Sequence, residues 1–116
     1  MDLLFDSRAR VLADLQARGM ALPAAVSALE EAMVARRWWA EQWPDGEAYV
    51  AGLVAQDVQD ALIDRGERWP VCVGCPPEAP LHPLHITPEL GGPDPHWVCE
   101  ETSQVVARLG ELAAAS

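Results

Sequence analysis

Cys72-Val73-Gly74-Cys75 brings two thiols into one bend, and a third follows in Trp97-Val98-Cys99. These are all three cysteines of the chain, and two histidines, His82 and His85, lie between the pair and the single. A Cys-x-x-Cys bend points two sulfurs at one place, and Zn²⁺ takes four nitrogen or sulfur donors in a tetrahedron. The pattern predicts a zinc site in the C-terminal third, with Cys72, Cys75 and Cys99 as donors. Zinc ribbons usually carry a second Cys-x-x-Cys. Here that register reads Cys99-Glu100-Glu101-Thr102, and Thr102 is a poor zinc ligand. The fourth donor must then be His82, His85, His96 or a carboxylate such as Glu100 or Glu101. His82 lies in His82-Pro83-Leu84, on the loop seven residues past Cys75, and is favoured, with His85 as the alternative. The competing reading is a set of ordinary buried thiols, since cysteine is a common core residue.

A Cys/Cys/His zinc with one open position could activate water. Zinc deaminases do so with a His-x-Glu element upstream of Pro-Cys-x-x-Cys. No histidine precedes Cys72, and three cysteines plus one histidine would close the site. A thioredoxin-type redox pair opens a helix, whereas Cys75 runs into Pro76-Pro77. No glycine-rich phosphate loop, Gly-x-Ser-x-Gly elbow or His-Glu-x-x-His occurs. The sequence therefore favours structural over catalytic zinc.

The elements that must position these donors begin with helices. Val11, Leu12 and Leu15 form the stripe of a first helix, from Asp2 or Asp6 to Arg18, with Gly19 as its stop. Pro23 suits the first position of a second helix. Val26, Leu29, Met33, Ala40 and Trp43 line that helix, Arg36 interrupts the stripe, and Ala25, Ala28, Ala32 and Ala35 run beside it. Pro44-Asp45-Gly46 ends it. A third helix, Glu47 to Arg65, carries Val50, Leu53, Val54, Val58, Ala61 and Leu62 on one face. The second and third helices are expected to pair as an antiparallel hairpin with the first laid across.

Beyond Trp69 long helices are excluded, because eight of the ten prolines fall between Pro70 and Pro95. Three short β-prone pieces remain: Leu84-Thr87, His96-Cys99 and Gln104-Leu109. Gly91-Gly92-Pro93-Asp94-Pro95 connects the first two. The fold class is thus mainly α with a small β part. A three-helix unit, residues 1–68, is followed by a zinc ribbon-like three-stranded module, residues 69–116.

Net charge is -10, and all eight basic residues are arginine. That balance argues against direct nucleic-acid binding, which needs a basic footprint, and no apolar run is long enough for a membrane helix. Met1-Asp2-Leu3-Leu4-Phe5-Asp6 lacks the basic start of a secretory signal. Reduced thiols and a cytoplasmic location are the expectation, and there a cysteine cluster favours metal over disulfide.

Two further groups invite a partner. Trp38 points about 100° away from Trp39 on the same helix, so one of the two should be less buried. Beside Arg36 and Arg37, Trp38 is a candidate anchor for another protein. Asp57, Asp60 and Asp64 share a face of the third helix, either as a solvated acidic surface, which is favoured, or as a carboxylate cluster for a metal or a basic partner. Trp69 and Trp97 flank the cysteines and are expected to roof the metal, joining ribbon to helices.

The string Tyr49-Val50-Ala51-Gly52-Leu53-Val54-Ala55-Gln56-Asp57-Val58-Gln59-Asp60-Ala61-Leu62 is followed by Trp69-Pro70-x-Cys72, His82-Pro83-Leu84 and Trp97-Val98-Cys99. Together these resemble a family of small uncharacterised actinobacterial proteins over roughly residues 47–112. The resemblance implies a ribbon-like metal knuckle, adds weight to His82, and carries no assigned activity. The leading expectation is a non-enzymatic interaction, adaptor or regulatory protein with structural zinc. The alternatives are a small zinc hydrolase or deaminase-like enzyme, and an acidic DNA mimic that regulates a basic protein.

Overall fold

The computed structural model describes residues 3–89 and 92–114. The proposed Asp2 helix start and Gly91 of the connecting loop lie outside the described residues. Three α-helices come first: α1 (Leu3–Ala17), α2 (Pro23–Gln42) and α3 (Val50–Asp64). Three short strands follow: β1 (His85–Thr87), β2 (His96–Val98) and β3 (Val105–Arg108). The strands form one antiparallel sheet in the order β1-β2-β3, with Ile86 opposite Trp97 and Trp97 opposite Ala107. This is the mainly α class with a small β part. Among the described residues no helix is long and apolar enough to cross a membrane.

The helices form where apolar side chains recur every three or four residues. Val11 and Leu15 of α1, Leu29 and Met33 of α2, and Val54, Val58 and Leu62 of α3 all point into one core. α2 packs on α3, and α1 packs on both. Gly19 ends the α1 segment at φ +65°, a conformation that costs glycine little.

The third helix starts three residues later than its periodicity predicts. A 3₁₀ turn occupies Pro44–Tyr49 before α3 begins. The reason is aromatic packing. Trp39 and Trp43 meet edge to face at 5.3 Å, and Trp43 tilts onto Tyr49 at 5.7 Å. Gly46 is buried beneath the first two rings, where a Cβ would come within 2.5 Å of Trp43.

The core does not stop at the helices. Trp69, Leu84, Ile86, Trp97, Cys99, Leu109 and Leu112 belong to the same buried cluster as the helix stripes. Trp69 and Trp97 stack edge to face at 5.3 Å, both fully buried. The sheet thus sits on the helices through two indoles, and the cysteines lie at its end.

Candidate metal centre

Local chain geometry delivers each donor. Val71 and Pro83 form an isolated antiparallel bridge. The Leu84 amide donates to Pro70 O at 2.7 Å, and the Cys72 amide to His82 O at 3.0 Å. The chain therefore leaves at Cys72, turns through Cys75, and comes back so that His82 faces the sulfurs. Cys99 arrives separately at the end of β2. There the Ser103 amide donates to Cys99 O at 2.8 Å and the Cys99 amide to Gln104 O at 3.0 Å. Ser103 takes φ +60° to close this turn.

Cys72, Cys75, His82 and Cys99 place their donor atoms within 4.8 Å of one another. The sulfurs of Cys72 and Cys75 are 3.8 Å apart, and those of Cys75 and Cys99 are 3.6 Å apart. His82 Nε2 lies 3.5 Å from Cys99 Sγ and 3.8 Å from Cys75 Sγ. These spacings test whether a metal fits. A tetrahedron with Zn–S of about 2.3 Å and Zn–N of about 2.05 Å has S···S edges of about 3.8 Å and S···N edges of about 3.6 Å. Four of the six edges are close to those of a tetrahedral site, and the other two, from Cys72 Sγ to Cys99 Sγ and to His82 Nε2, are within 4.8 Å. His82 Nδ1 sits 3.0 Å from Pro80 O. Donation from Nδ1–H to that carbonyl leaves the Nε2 lone pair for a metal, the usual outer-shell arrangement of a ligating histidine.

Of the two histidines left open by the sequence, His82 reaches the sulfurs. His85 stands in β1 opposite Val98 and is outside the cluster. His96 lies 3.8 Å from Asp94 Oδ2 and is also outside it. Glu100 and Glu101 are exposed in the turn. Thr102 fills the register of a missing cysteine in another way: its hydroxyl oxygen accepts from the Gln104 amide at 3.3 Å within the turn beside Cys99, and its nearness is the largest cause that lowers the Cys99 pKa.

Without metal, Cys75, His82 and Cys99 shift one another's protonation. Contacts with Thr102, then with His82, stabilise the Cys99 thiolate and lower its pKa to about 6. The Cys75 thiol is pushed up to about 12, first by its contact with Cys99 and then by burial. The backbone contact at Pro80, followed by the Cys99 contact, raises His82 to about 9. Such a cluster holds an anion and a cation side by side, and a divalent metal would replace the protons.

The other sequence-selected residues lie away from this cluster. Trp38 on α2 is 64% exposed, while Trp39 is half-buried with Arg36 over its ring at 5.9 Å. Asp57 does not join Asp60 and Asp64 in a free acidic row. It pairs with Arg36 through two bonds of 2.8 and 2.9 Å across the α2–α3 groove, whereas Asp60 and Asp64 are exposed. The Arg36 that seemed to interrupt the α2 stripe is thereby accounted for. The groove beside this pair is open, about 540 Å³, and is lined by Ala28, Ala32, Ala35, Trp38, Trp39 and Ala61.

Sequence reasoning missed Asp14. Its side chain is fully buried, with Oδ2 accepting from Trp97 Nε1 at 2.8 Å and the Gly110 amide at 2.7 Å. Oδ1 accepts from the Leu112 amide at 3.1 Å. One signal was present: Asp14 falls on the Ser7, Val11, Leu15 side of α1, where a carboxylate has no business unless it is bonded.

A family profile described as a domain of unknown function (DUF8819) matches residues 1–109. Neither a curated protein nor a solved structure matches the chain.

Proposed function

We propose that this chain, which belongs to the DUF8819 family, is a non-enzymatic interaction module whose C-terminal part is held by structural zinc. The observation that carries the reading is the four-donor cluster of Cys72, Cys75, His82 and Cys99. Three sulfurs and one imidazole at tetrahedral spacing favour zinc over harder ions. Four protein donors complete the coordination shell, which leaves no position for a reacting water and speaks against hydrolase or deaminase chemistry. Three free cysteines suit a reducing compartment such as the cytoplasm.

On this reading residues 69–116 are the zinc-held part and residues 1–68 present the binding surface. The partner is another protein of basic character. Trp38 would be its anchor, beside a small-residue groove, with Asp60 and Asp64 exposed on α3 and a chain charge of -10 to attract it.

Two measurements test this. Elemental analysis of purified protein should find about one zinc per chain, and chelation should lower the thermal stability of residues 69–116. A preparation that takes up no zinc, or whose stability is the same with and without it, would sink the zinc reading. Trp38→Ala should leave stability within about 0.5 kcal/mol, as for other exposed substitutions, while abolishing salt-sensitive capture of a basic partner. Loss of stability with capture retained would place Trp38 in the fold instead.

A further inference from the structure

The metal donors come from two chain segments, residues 72–82 and residue 99, and α1 touches the approach to each. Trp69 Nε1, three residues before Cys72, donates to the Asp14 backbone carbonyl at 3.3 Å. Trp97 Nε1, two residues before Cys99, donates to the Asp14 carboxylate at 2.8 Å. Arg18, in the turn that follows α1, donates from Nη1 to the carbonyl of Val71 at 2.6 Å, immediately before Cys72. A single helix face therefore fixes the chain just upstream of both cysteine segments. The same face also holds the segment after β3: Gly110 and Leu112 donate to Asp14. Arg10 and Arg18 donate to the carbonyls of Leu109 and Ala113.

We propose that Asp14 of α1 and Arg18 of the turn that follows it are positioning residues for the metal site. They set the separation and direction of the two cysteine segments before a metal arrives. The inference rests on the zinc reading of the cluster. Its physical basis is preorganisation: donors already held near tetrahedral spacing bind with less ordering cost than donors that must be gathered. Coupling is reciprocal, so metal binding must tighten the docking of α1 by the factor with which α1 tightens the metal. Neither residue contacts the metal donors directly, so each acts through Trp97, Trp69 and Val71.

The test uses the full chain and Zn²⁺ in competition with a coloured chelator. Asp14→Asn sets an amide N–H against the donors that now meet a carboxylate. Arg18→Met removes the donor to Val71 O and keeps the aliphatic stem. Val58→Ala, a core truncation in α3 that makes none of these bonds, is the control for general destabilisation. Asp14→Asn and Arg18→Met should each weaken zinc about 10-fold, the lower end of outer-shell effects, and Val58→Ala should stay within about twofold. The visible spectrum of the cobalt-loaded protein should lose its tetrahedral character in the first two variants only. Equal affinity across all three variants and wild type overturns the inference, as does an equal loss in all three. If Asp14→Asn does not fold, Arg18→Met decides alone. A wild type that binds no zinc brings down the zinc reading as well. A wild type that binds tightly beside variants that bind equally tightly overturns only the positioning role.

Discussion

His82→Ala and His85→Ala remove the same imidazole from sites three residues apart and should behave oppositely. His82 Nε2 stands 3.5 Å from Cys99 Sγ and 3.8 Å from Cys75 Sγ, with Nδ1 3.0 Å from Pro80 O. His85 lies in β1 opposite Val98, outside the cluster. Loss of an outer-shell partner alone costs up to about 100-fold in metal affinity. Loss of a ligand must cost at least that, or about 2.8 kcal/mol at 1.4 kcal/mol per tenfold. For a domain of this size, that corresponds to a melting temperature roughly 10 °C lower at the same free zinc. The assay is chelator competition together with thermal unfolding at fixed free Zn²⁺. His82→Ala should show both losses, and His85→Ala neither loss of metal nor zinc-dependent destabilisation. The reverse pattern, or full affinity in His82→Ala, would refute the ligand set.

Three further outcomes are expected. At pH 7 the metal-free Cys75 thiol (about 12) and His82 imidazole (about 9) carry protons while Cys99 (about 6) has lost its own. Zinc binding should therefore release at least two protons, and affinity should rise with pH; calorimetry in buffers of different ionisation enthalpy that finds fewer than two would contradict the arrangement. In the metal-free protein the His82 contribution to stability is complete below pH 6.5 and lost as pH rises through about 9. The Cys99 contribution is present above pH 9 and lost as pH falls through about 6. Gly46→Ala would drive a Cβ to within 2.5 Å of Trp43 and 2.7 Å of Trp39; overpacking of this kind costs about 1–3 kcal/mol, and chemical denaturation that shows no loss would mean the indoles can move aside.

What could be read from the sequence was what is local. Cys72 and Cys75 announce their bend by spacing alone. Three helices follow from periodicity in Val11/Leu15, Leu29/Met33 and Val54/Val58, all of which are buried. His82 and His85 could not be separated by spacing, because the choice depends on the Val71–Pro83 bridge that folds the loop back. Arg36 looked like a break in a stripe, and Asp57 like part of a solvated row, until α2 and α3 were set side by side and the two were found paired. Asp14 was out of reach for the same reason, since its side-chain partners lie 83 to 98 residues away. Thr102 was legible as an absent ligand but not as the neighbour that lowers the Cys99 pKa.

That long reach of Asp14 bears on how the chain acquires its shape. α1 is made well before the segments that seat it, because its buried carboxylate finds its donors only at Trp97, Gly110 and Leu112. Until those residues leave the ribosome, Asp14 must stay hydrated, because a buried unpaired carboxylate is too costly. The N-terminal helix can coil early, since its bonds are local, but it cannot settle into its final seat. Closure between such distant segments is entropically slow. The order of synthesis and the order of assembly therefore differ: α1 is made before the segments around Trp97, Gly110 and Leu112, yet its final docking waits for them.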